Sequence, residues 1–269
     1  MMVMIFRQCI LCSLLAGILF SLPASASSLW QGPYVGAYVG GGLGDSHLST
    51  DVGSVTNASY FTTAADINAI NNAGSWSKEP STLLAGIQAG HDWTWQQIVY
   101  GIAFDYSTLP LSSSSSATNS YADNSGQYSV YTSMQTNWLF TLRGRVGYQS
   151  TLYLPNFLYF TGGIAMTQLK VNNSFNDNSA FAGITSSHTA QNQIGWTAGV
   201  GIEVAAYQHV SVDFEYLYVN VPSVKTVGAI SNTQGGFGIP VNSMTSPFTT
   251  TADFHANVFK VGVNYRFGE

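Results

Sequence analysis

Apolar residues at every second position, too little charge for a soluble sheet, and polar connections that alternate short and long predict an all-β chain. The expected form is an eight-stranded antiparallel up-and-down transmembrane β-barrel. The alternation is clearest in QIGWTAGVGIEV, residues 193–204. There Ile194, Trp196, Ala198, Val200, Ile202 and Val204 share one parity, and Gly195, Thr197, Gly199, Gly201 and Glu203 share the other. Successive side chains of a strand point to opposite faces, so a period of two is a strand signal and not a helical one. A soluble sheet would cover its outer face with charge, yet charged residues make up only 8% of the chain, against about 25% in an ordinary globular domain. The apolar face is therefore expected to meet lipid and the polar face to line the interior.

The N-terminal segment supplies a route out of the cytoplasm. Arg7 gives a basic n-region, residues 10–22 an apolar core, and Ala24-Ser25-Ala26 a small-residue cleavage site. Residues 1–26 thus read as a signal peptide and residues 27–269 as the outer-membrane β-barrel domain. The apolar run is shorter than the roughly 20 residues that cross a bilayer as a helix. Both cysteines, Cys9 and Cys12, fall in this segment, leaving no thiol for a disulfide or a cysteine metal site. With 13 acidic and 8 basic residues, the chain gives no basis for nucleic-acid binding.

Strands are expected at residues 34–43, 82–93, 97–108, 135–148, 157–171, 191–205, 209–221 and 254–267. Each reaches the length of about 9 to 11 residues that a tilted strand needs to cross the hydrocarbon layer. Residues 94–96, 149–156 and 206–208 are short turns. Residues 44–81, 109–134, 172–190 and 222–253 are long connections rich in Ser, Asn, Thr and Gly. In a bacterial barrel that asymmetry puts the turns and both termini in the periplasm and the long loops outside the cell. Aromatic residues should form the two interface belts. The periplasmic belt would hold Trp30, Tyr34, Trp93, Trp95, Tyr100, Tyr148, Tyr153, Tyr207, Tyr265 and Phe267, and the outer belt Tyr106, Trp138, Trp196, Tyr216, Tyr218 and Phe254.

The polar parity places a charge network in the lumen. With Trp138, Phe140 and Leu142 toward lipid, Arg143 and Arg145 face inward; Asp92, Asp105, Glu203, Asp213, Glu215, Lys260 and Arg266 share that orientation. The interior of an eight-stranded barrel is only wide enough for side chains to fill. Confined charges must pair, because each unpaired one costs several kcal/mol. The expected lumen is a salt-bridged plug, in which Glu215 and Lys260 meet across neighbouring strands and inward glycines such as Gly162 or Gly163, Gly195, Gly199, Gly201 and Gly262 leave room for Arg and Lys stems. The run Gly40-Gly41-Gly42-Leu43-Gly44 lacks the Lys-Ser/Thr pair and the following helix of a phosphate-cradling loop.

Several segments carry a family resemblance. QGPYVGAYVGGGLG from Gln31, LRGRVGY from Leu142, GWTAGVGIEVA from Gly195, FEYLYV from Phe214 and VGVNYRF from Val261 resemble the small outer-membrane β-barrel surface antigens. These porin-family proteins are similar to opacity proteins and to the transmembrane domain of outer membrane protein A. The resemblance spans nearly all of residues 27–269 and specifies architecture more than activity. It implies eight strands, a bacterial outer-membrane location with surface-exposed loops, and a terminal aromatic read by the barrel assembly machinery; here Phe267 is followed by Gly268 and Glu269. Outer-membrane lipid and lipopolysaccharide are the implied surroundings, with a host or cell-surface ligand at the loops.

Some small barrels deacylate lipid A with a His-x-Ser pair and a carboxylate, and His209-Val210-Ser211 with Asp213 and Glu215 fits that spacing. Its position beside a periplasmic turn, the lumenal parity of Ser211, and Val212 where that pattern has Asn all speak against catalysis. A second pair, His47-Leu48-Ser49, reads as loop surface. The five histidines, His47, His91, His188, His209 and His255, lack ligand spacing, so neither a metal nor a cofactor is expected. The serine run 112–116 reads as a solvated loop tip, residues 66–73 as a short helical turn, and Tyr60, Phe61 and Trp76 as aromatics either packed over the barrel mouth, the commoner outcome, or displayed to a partner. The expected function is a structural or interaction role through the loops rather than an enzymatic one, with a narrow porin as the alternative and a lipid A-modifying enzyme behind it.

Overall fold

The computed structural model describes residues 29–122, 125–151, 154–236 and 238–267. The signal segment 1–26, with Arg7, Cys9 and Cys12, lies outside them, as do Tyr153, Gly268 and Glu269. Eight long antiparallel strands form a ring: β1 (Gly32–Asp51), β3 (Ser81–Trp95), β4 (Ile98–Ser120), β5 (Gln127–Ser150), β6 (Asn156–Asp177), β7 (Gly183–Tyr207), β8 (Val210–Asn232) and β9 (Thr245–Arg266). Each pairs with the next in the chain, and β1 closes on β9 from Tyr34↔Arg266 to Asp51↔Thr249. A three-residue β2 (Trp76–Lys78) lies against β1 at Ser46, His47 and Leu48.

The strands run far past the hydrocarbon layer, and this corrects the long-loop reading. Residues 109–120 and 127–134 are not a loop but the continuation of β4 and β5, laddered to Ser120↔Gln127. The serine run is part of this wall, with Ser112 opposite Gln135 and Ser116 opposite Tyr131. Much of 172–190 and 222–253 likewise extends β6, β7, β8 and β9. His47 and Ser49 are outward residues of β1, not loop residues.

Alternation persists to the strand tips, but its sense reverses. On β9 the outward residues Phe259, Val261, Val263 and Tyr265 are exposed apolar or aromatic groups, while Lys260, Gly262, Asn264 and Arg266 point in. Higher up the same strand the inward residues are Phe254, Ala256 and Val258, all buried, and the outward ones Asp253, His255 and Asn257. The outer solvent has changed from hydrocarbon to water, so apolar side chains gain by turning inward. Aromatic pairs mark the belts on either side of the lipid band: Trp93 stacked on Tyr100 below, Tyr106 stacked on Trp138 and Trp196 tilted against Tyr218 above. Three expected belt residues face inward instead. Trp30 joins Phe157 and Tyr159 in an aromatic floor, the buried Tyr34 shares Arg145 with the last two, and Phe254 joins an apolar core with Leu48, Leu111, Leu169 and Val221.

The ladder between β7 and β8 carries an independent mark of the membrane boundary. It runs from Tyr207↔Val210 past a bulge to Trp196↔Asn220, stops at the upper belt, and resumes only at Ile184↔Ser231. Inside hydrocarbon an unpaired strand edge has no water to satisfy it, so the interruption is tolerated only above the lipid.

The top is capped by residues 52–80 and by an aromatic cluster. Helix α1 (Ala64–Gly74) starts where the Thr63 side chain accepts from the Asp66 amide at 3.1 Å and donates to the Asp66 carboxylate at 2.6 Å, a reciprocal capping arrangement. Ile67 and Ile70, one turn apart, bury into the cap with Tyr60, Phe61, Tyr128, Phe175 and Phe248. The expected helical turn is thus a three-turn helix, and Tyr60 and Phe61 do pack over the mouth. Trp76 donates to Thr132 at 2.6 Å. Asp177 ties the cap down: it accepts from Tyr60 Oη at 2.7 Å, Tyr121 Oη at 2.5 Å and the Gly183 amide at 2.9 Å. Burial pushes both phenols well above the ordinary tyrosine range, so they remain donors.

Two outcomes follow. Val200→Arg, at lipid depth, should abolish most heat-modifiable folded protein, since a cation at bilayer midplane costs about 2 to 4 kcal/mol, whereas Val227→Arg, outward on β8 above the belt, should fold normally. Asp177→Ala removes hydrogen bonds to a charged acceptor worth about 1.5 to 3 kcal/mol each. It should open residues 52–63 to added protease while leaving the heat-modifiable shift of the barrel intact.

Candidate functional site: the ion-paired lumen

Inward parity on six strands brings the lumenal charges together in two closed squares. In the upper one Arg143 of β5 pairs with Asp105 of β4 and, at 2.8 Å, with Glu215 of β8; Lys260 of β9 meets the same two carboxylates at 2.8 and 2.6 Å. Glu215 and Lys260 are direct cross-strand partners. In the lower square Arg145 of β5 pairs with Asp92 of β3 and, at 3.2 Å, with Glu203 of β7, and Arg266 of β9 reaches them at 2.7 and 2.9 Å. Each square holds two cations and two anions, so each is neutral, and every member has two opposite neighbours. Asp92 and Glu203 are wholly buried, at 0% exposure. At that burial one counter-ion alone would not offset desolvation, and the second partner with its hydrogen bonds completes the solvation shell that water has vacated.

Neutral groups finish the shell. Thr141 Oγ1 donates to Asp105 at 2.8 Å, Ser211 Oγ to Glu203 at 2.5 Å and Tyr159 Oη to Glu215 at 3.0 Å. The cations also lie on rings: Arg145 over Tyr34 at 4.4 Å and Tyr159 at 5.3 Å, Arg266 over Tyr34 at 4.9 Å and Trp30 at 5.3 Å, and Lys260 over Tyr38 at 4.4 Å. The expected inward glycines do not make room for cation stems: Gly163 and Gly195 lie against neighbouring backbone and Gly199 against backbone and Leu217, while three inward glycines accommodate rings. Tyr34 lies across from Gly90, Tyr38 across from Gly86 and Tyr159 across from Gly201, and a Cβ at any of these glycines would run into the facing ring. At Gly262 the group that needs the space is the Asp213 carboxylate.

Asp213 is the ninth charge and stands apart. Among the described residues no cation lies within ion-pair distance of it; Gln88 Nε2 and Asn264 Nδ2 donate to its Oδ1 at 2.9 and 3.1 Å. Gln88 also donates to Asn264 at 2.6 Å, and Asn264 to Glu203 at 3.2 Å, so two amides join the lower square to the odd carboxylate. Sequence reasoning passed over Gln88, Asn264, Tyr38 and Tyr159, and gave Tyr34 to the belt. Their signal was available in the inward register of β3, where Gly86, Gln88, Gly90 and Asp92 follow one another at every second position, and of β9, where Lys260, Gly262, Asn264 and Arg266 do.

The His-x-Ser pairs do not assemble. His209 packs its ring on Tyr265, 5.9 Å between centroids, while Ser211 is turned inward onto Glu203. His47 and Ser49 point outward from β1 on either side of the buried Leu48. Among the described residues no group of three or more His, Cys, Asp or Glu is arranged to hold a metal ion.

This chain is 30% identical over 189 residues to the 25 kDa outer-membrane immunogenic protein of Brucella abortus biovar 1 (strain 9-941), a match covering 70% of this chain and 64% of that protein. The match thus spans less than two thirds of that relative's own length. The 31 kDa outer-membrane immunogenic protein of Brucella melitensis biotype 1 is 27% identical over 72% of this chain and 70% of its own. The 22 kDa outer membrane protein of Rhizobium leguminosarum bv. viciae is 29% identical over 56% and 60%. Among solved structures, the outer membrane protein OprG of Pseudomonas aeruginosa superposes with a TM-score of 0.46 at 14% identity, covering 90% of this chain and 99% of that one. Residues 12–267 match the outer membrane protein beta-barrel domain. The closed ring of antiparallel strands agrees with that match, and the chain belongs to this family of bacterial outer-membrane proteins.

Proposed function

We propose that the protein is a sealed, non-enzymatic scaffold of the outer membrane that acts through the surface it displays, not through its lumen. The observation that carries this reading is the filled interior. An aromatic floor, two neutral charge squares, an apolar core and an aromatic cap succeed one another along the axis. A conducting path would have to separate ion pairs that are buried on all sides, each costing several kcal/mol to strip of its partner. The squares are thus a plug, and Asp92, Asp105, Arg143, Arg145, Glu203, Glu215, Lys260 and Arg266 form it, with Asp213 as its uncompensated member. Residues 1–26 act as the export signal, and Phe267 at the end of β9 is the group offered to the assembly machinery. The extended hairpins and the cap are extracellular, where a host or cell-surface ligand would meet them.

The plug is tested by charge variants. Glu215→Gln leaves its square with one excess positive charge and Lys260→Met with one excess negative charge, so each should destabilise the barrel by about 3 to 5 kcal/mol, while the double variant regains part of the loss. Asp213→Asn should be neutral or stabilising, because that carboxylate has amide donors but no cation. Thermal unfolding followed by gel mobility reads all four. In planar bilayers the parent should show no steady conductance; a large, stable, ion-selective current would replace the scaffold with the narrow porin. Orientation is tested separately: a cysteine at Ser114, outward on β4, should react with a membrane-impermeant maleimide on intact cells, and one at Gln208, in the β7–β8 turn, should not.

A further inference from the structure

The interrupted β7–β8 ladder leaves two facing strand edges, residues 185–195 and 221–230, without ladder partners on that side. At the same height β6 remains laddered to β7, and β8 to β9 apart from a bulge at Pro222 and Ser223, so the interruption belongs to the facing edges of β7 and β8. The edges do touch: a Cβ at Gly228 of β8 would fall on Ser187 Oγ of β7. Elsewhere along the seam the inward residues of β7 are open to solvent, Gln191 exposed and Ser187, Thr189 and Gln193 half-exposed, whereas inward residues of β6 at this level, Leu169 and Val171, are fully buried. An unpaired edge presents peptide N–H donors, which are ready-made partners for an incoming acceptor.

The charge distribution singles out the same place. Among the described residues the three arginines and Lys260 are spent inside the lumen, leaving Lys78, Lys170 and Lys225 as the cations of the outer surface. Two of these three flank the seam. Lys170, outward on β6, is the register partner of Ala190 on β7; Lys225 is outward on β8 between the buried Val224 and Thr226. Asp253, outward on β9, is two residues from Thr251, the cross-strand partner of Lys225, and forms no ion pair with that lysine among the described residues. Around Lys170 the outer face carries a ladder of hydrogen-bonding side chains, Gln168 bonded to Asn192 at 3.2 Å and Asn172 bonded to His188. Directly below, Ile194 and Trp196 are lipid-facing. The seam therefore stands just above hydrocarbon, at the level of outer-leaflet headgroups.

We propose that the β7–β8 seam is a binding site for the phosphorylated headgroup of an outer-leaflet glycolipid. Lys170 and Lys225 and the edge N–H groups take the phosphate, the amide ladder takes sugar hydroxyls, and the acyl chains lie on the apolar band under Ile194 and Trp196. Free phosphate shares the anion chemistry, but the lipid band immediately beneath favours the membrane-borne source. The site rests on the extracellular orientation of the hairpins, which the cysteine labelling at Ser114 tests on its own.

The experiment uses the full folded chain in detergent with three probes: diphosphoryl lipid A, the same lipid dephosphorylated, and inorganic phosphate. Native mass spectrometry counts retained lipid, and amide hydrogen exchange follows residues 185–195. The parent should retain diphosphoryl lipid A about tenfold better than the dephosphorylated form, with slowed exchange in the seam. Lys170→Gln with Lys225→Gln should remove that preference, the corresponding double arginine variant should keep it, and Lys78→Gln, on β2, should leave it unchanged. Gel mobility confirms that each variant is folded, and exchange in the parent reads the site without any substitution. Equal retention of both lipids, an equal loss in Lys78→Gln, seam protection by inorganic phosphate alone, or unaltered exchange would each overturn the proposal.

Discussion

Closure of β1 on β9 is the constraint on which the remaining structure depends. In hydrocarbon a strand edge cannot hydrogen-bond to water, so the sheet must end on itself. Closing with eight strands leaves an interior that side chains alone can fill. Because the lipid side takes the apolar residues, the filling at membrane depth is polar, and because there is no room for bulk water, polar filling must be internally complete. The neutral squares, the hydroxyl and amide donors around them, and the rings seated on glycines are successive consequences of that closure.

Above the upper belt the same strands obey the opposite rule. Phe254, Val258, Leu217 and Val221 turn inward, and Asn220, His255 and Asn257 outward, so this end is built like a water-facing barrel with an apolar core. Two architectures thus share one continuous wall. The change of solvent accounts for both, and it explains why the one long interruption of the β7–β8 ladder lies on the aqueous side.

This reversal also accounts for what was legible in the sequence. At membrane depth the alternation of 193–204 was plain, and with it the parity that puts Arg143 and Lys260 inside. Above the belt the pattern faded, because inward positions such as Ser113 and Thr132 are small and polar like the outward Ser112 and Ser114. Five consecutive serines have little strand propensity, and cross-strand pairing with β5 overrides it. Trp30, Tyr34 and Phe254 were assigned to the belts by type, although the parity of Tyr34 with Gly32 and of Phe254 with Lys260 pointed inward. Asp213 could be placed but not paired, since pairing depends on which strands lie near each other through the lumen. The seam has no sequence signature, because a missing ladder leaves both strands looking like strands.

The distribution of the squares over the chain bears on how the barrel assembles. The lower square draws on β3, β5, β7 and β9 and the upper on β4, β5, β8 and β9, so both wait for the last strand. Before β9 docks, Asp92, Glu203, Asp105 and Glu215 each have a single arginine and a gap where Arg266 or Lys260 will come. Without β9 each square would hold two carboxylates and one arginine, an excess of one negative charge facing the interior. Placing β9 therefore completes both squares together, one through Lys260 and the other through Arg266.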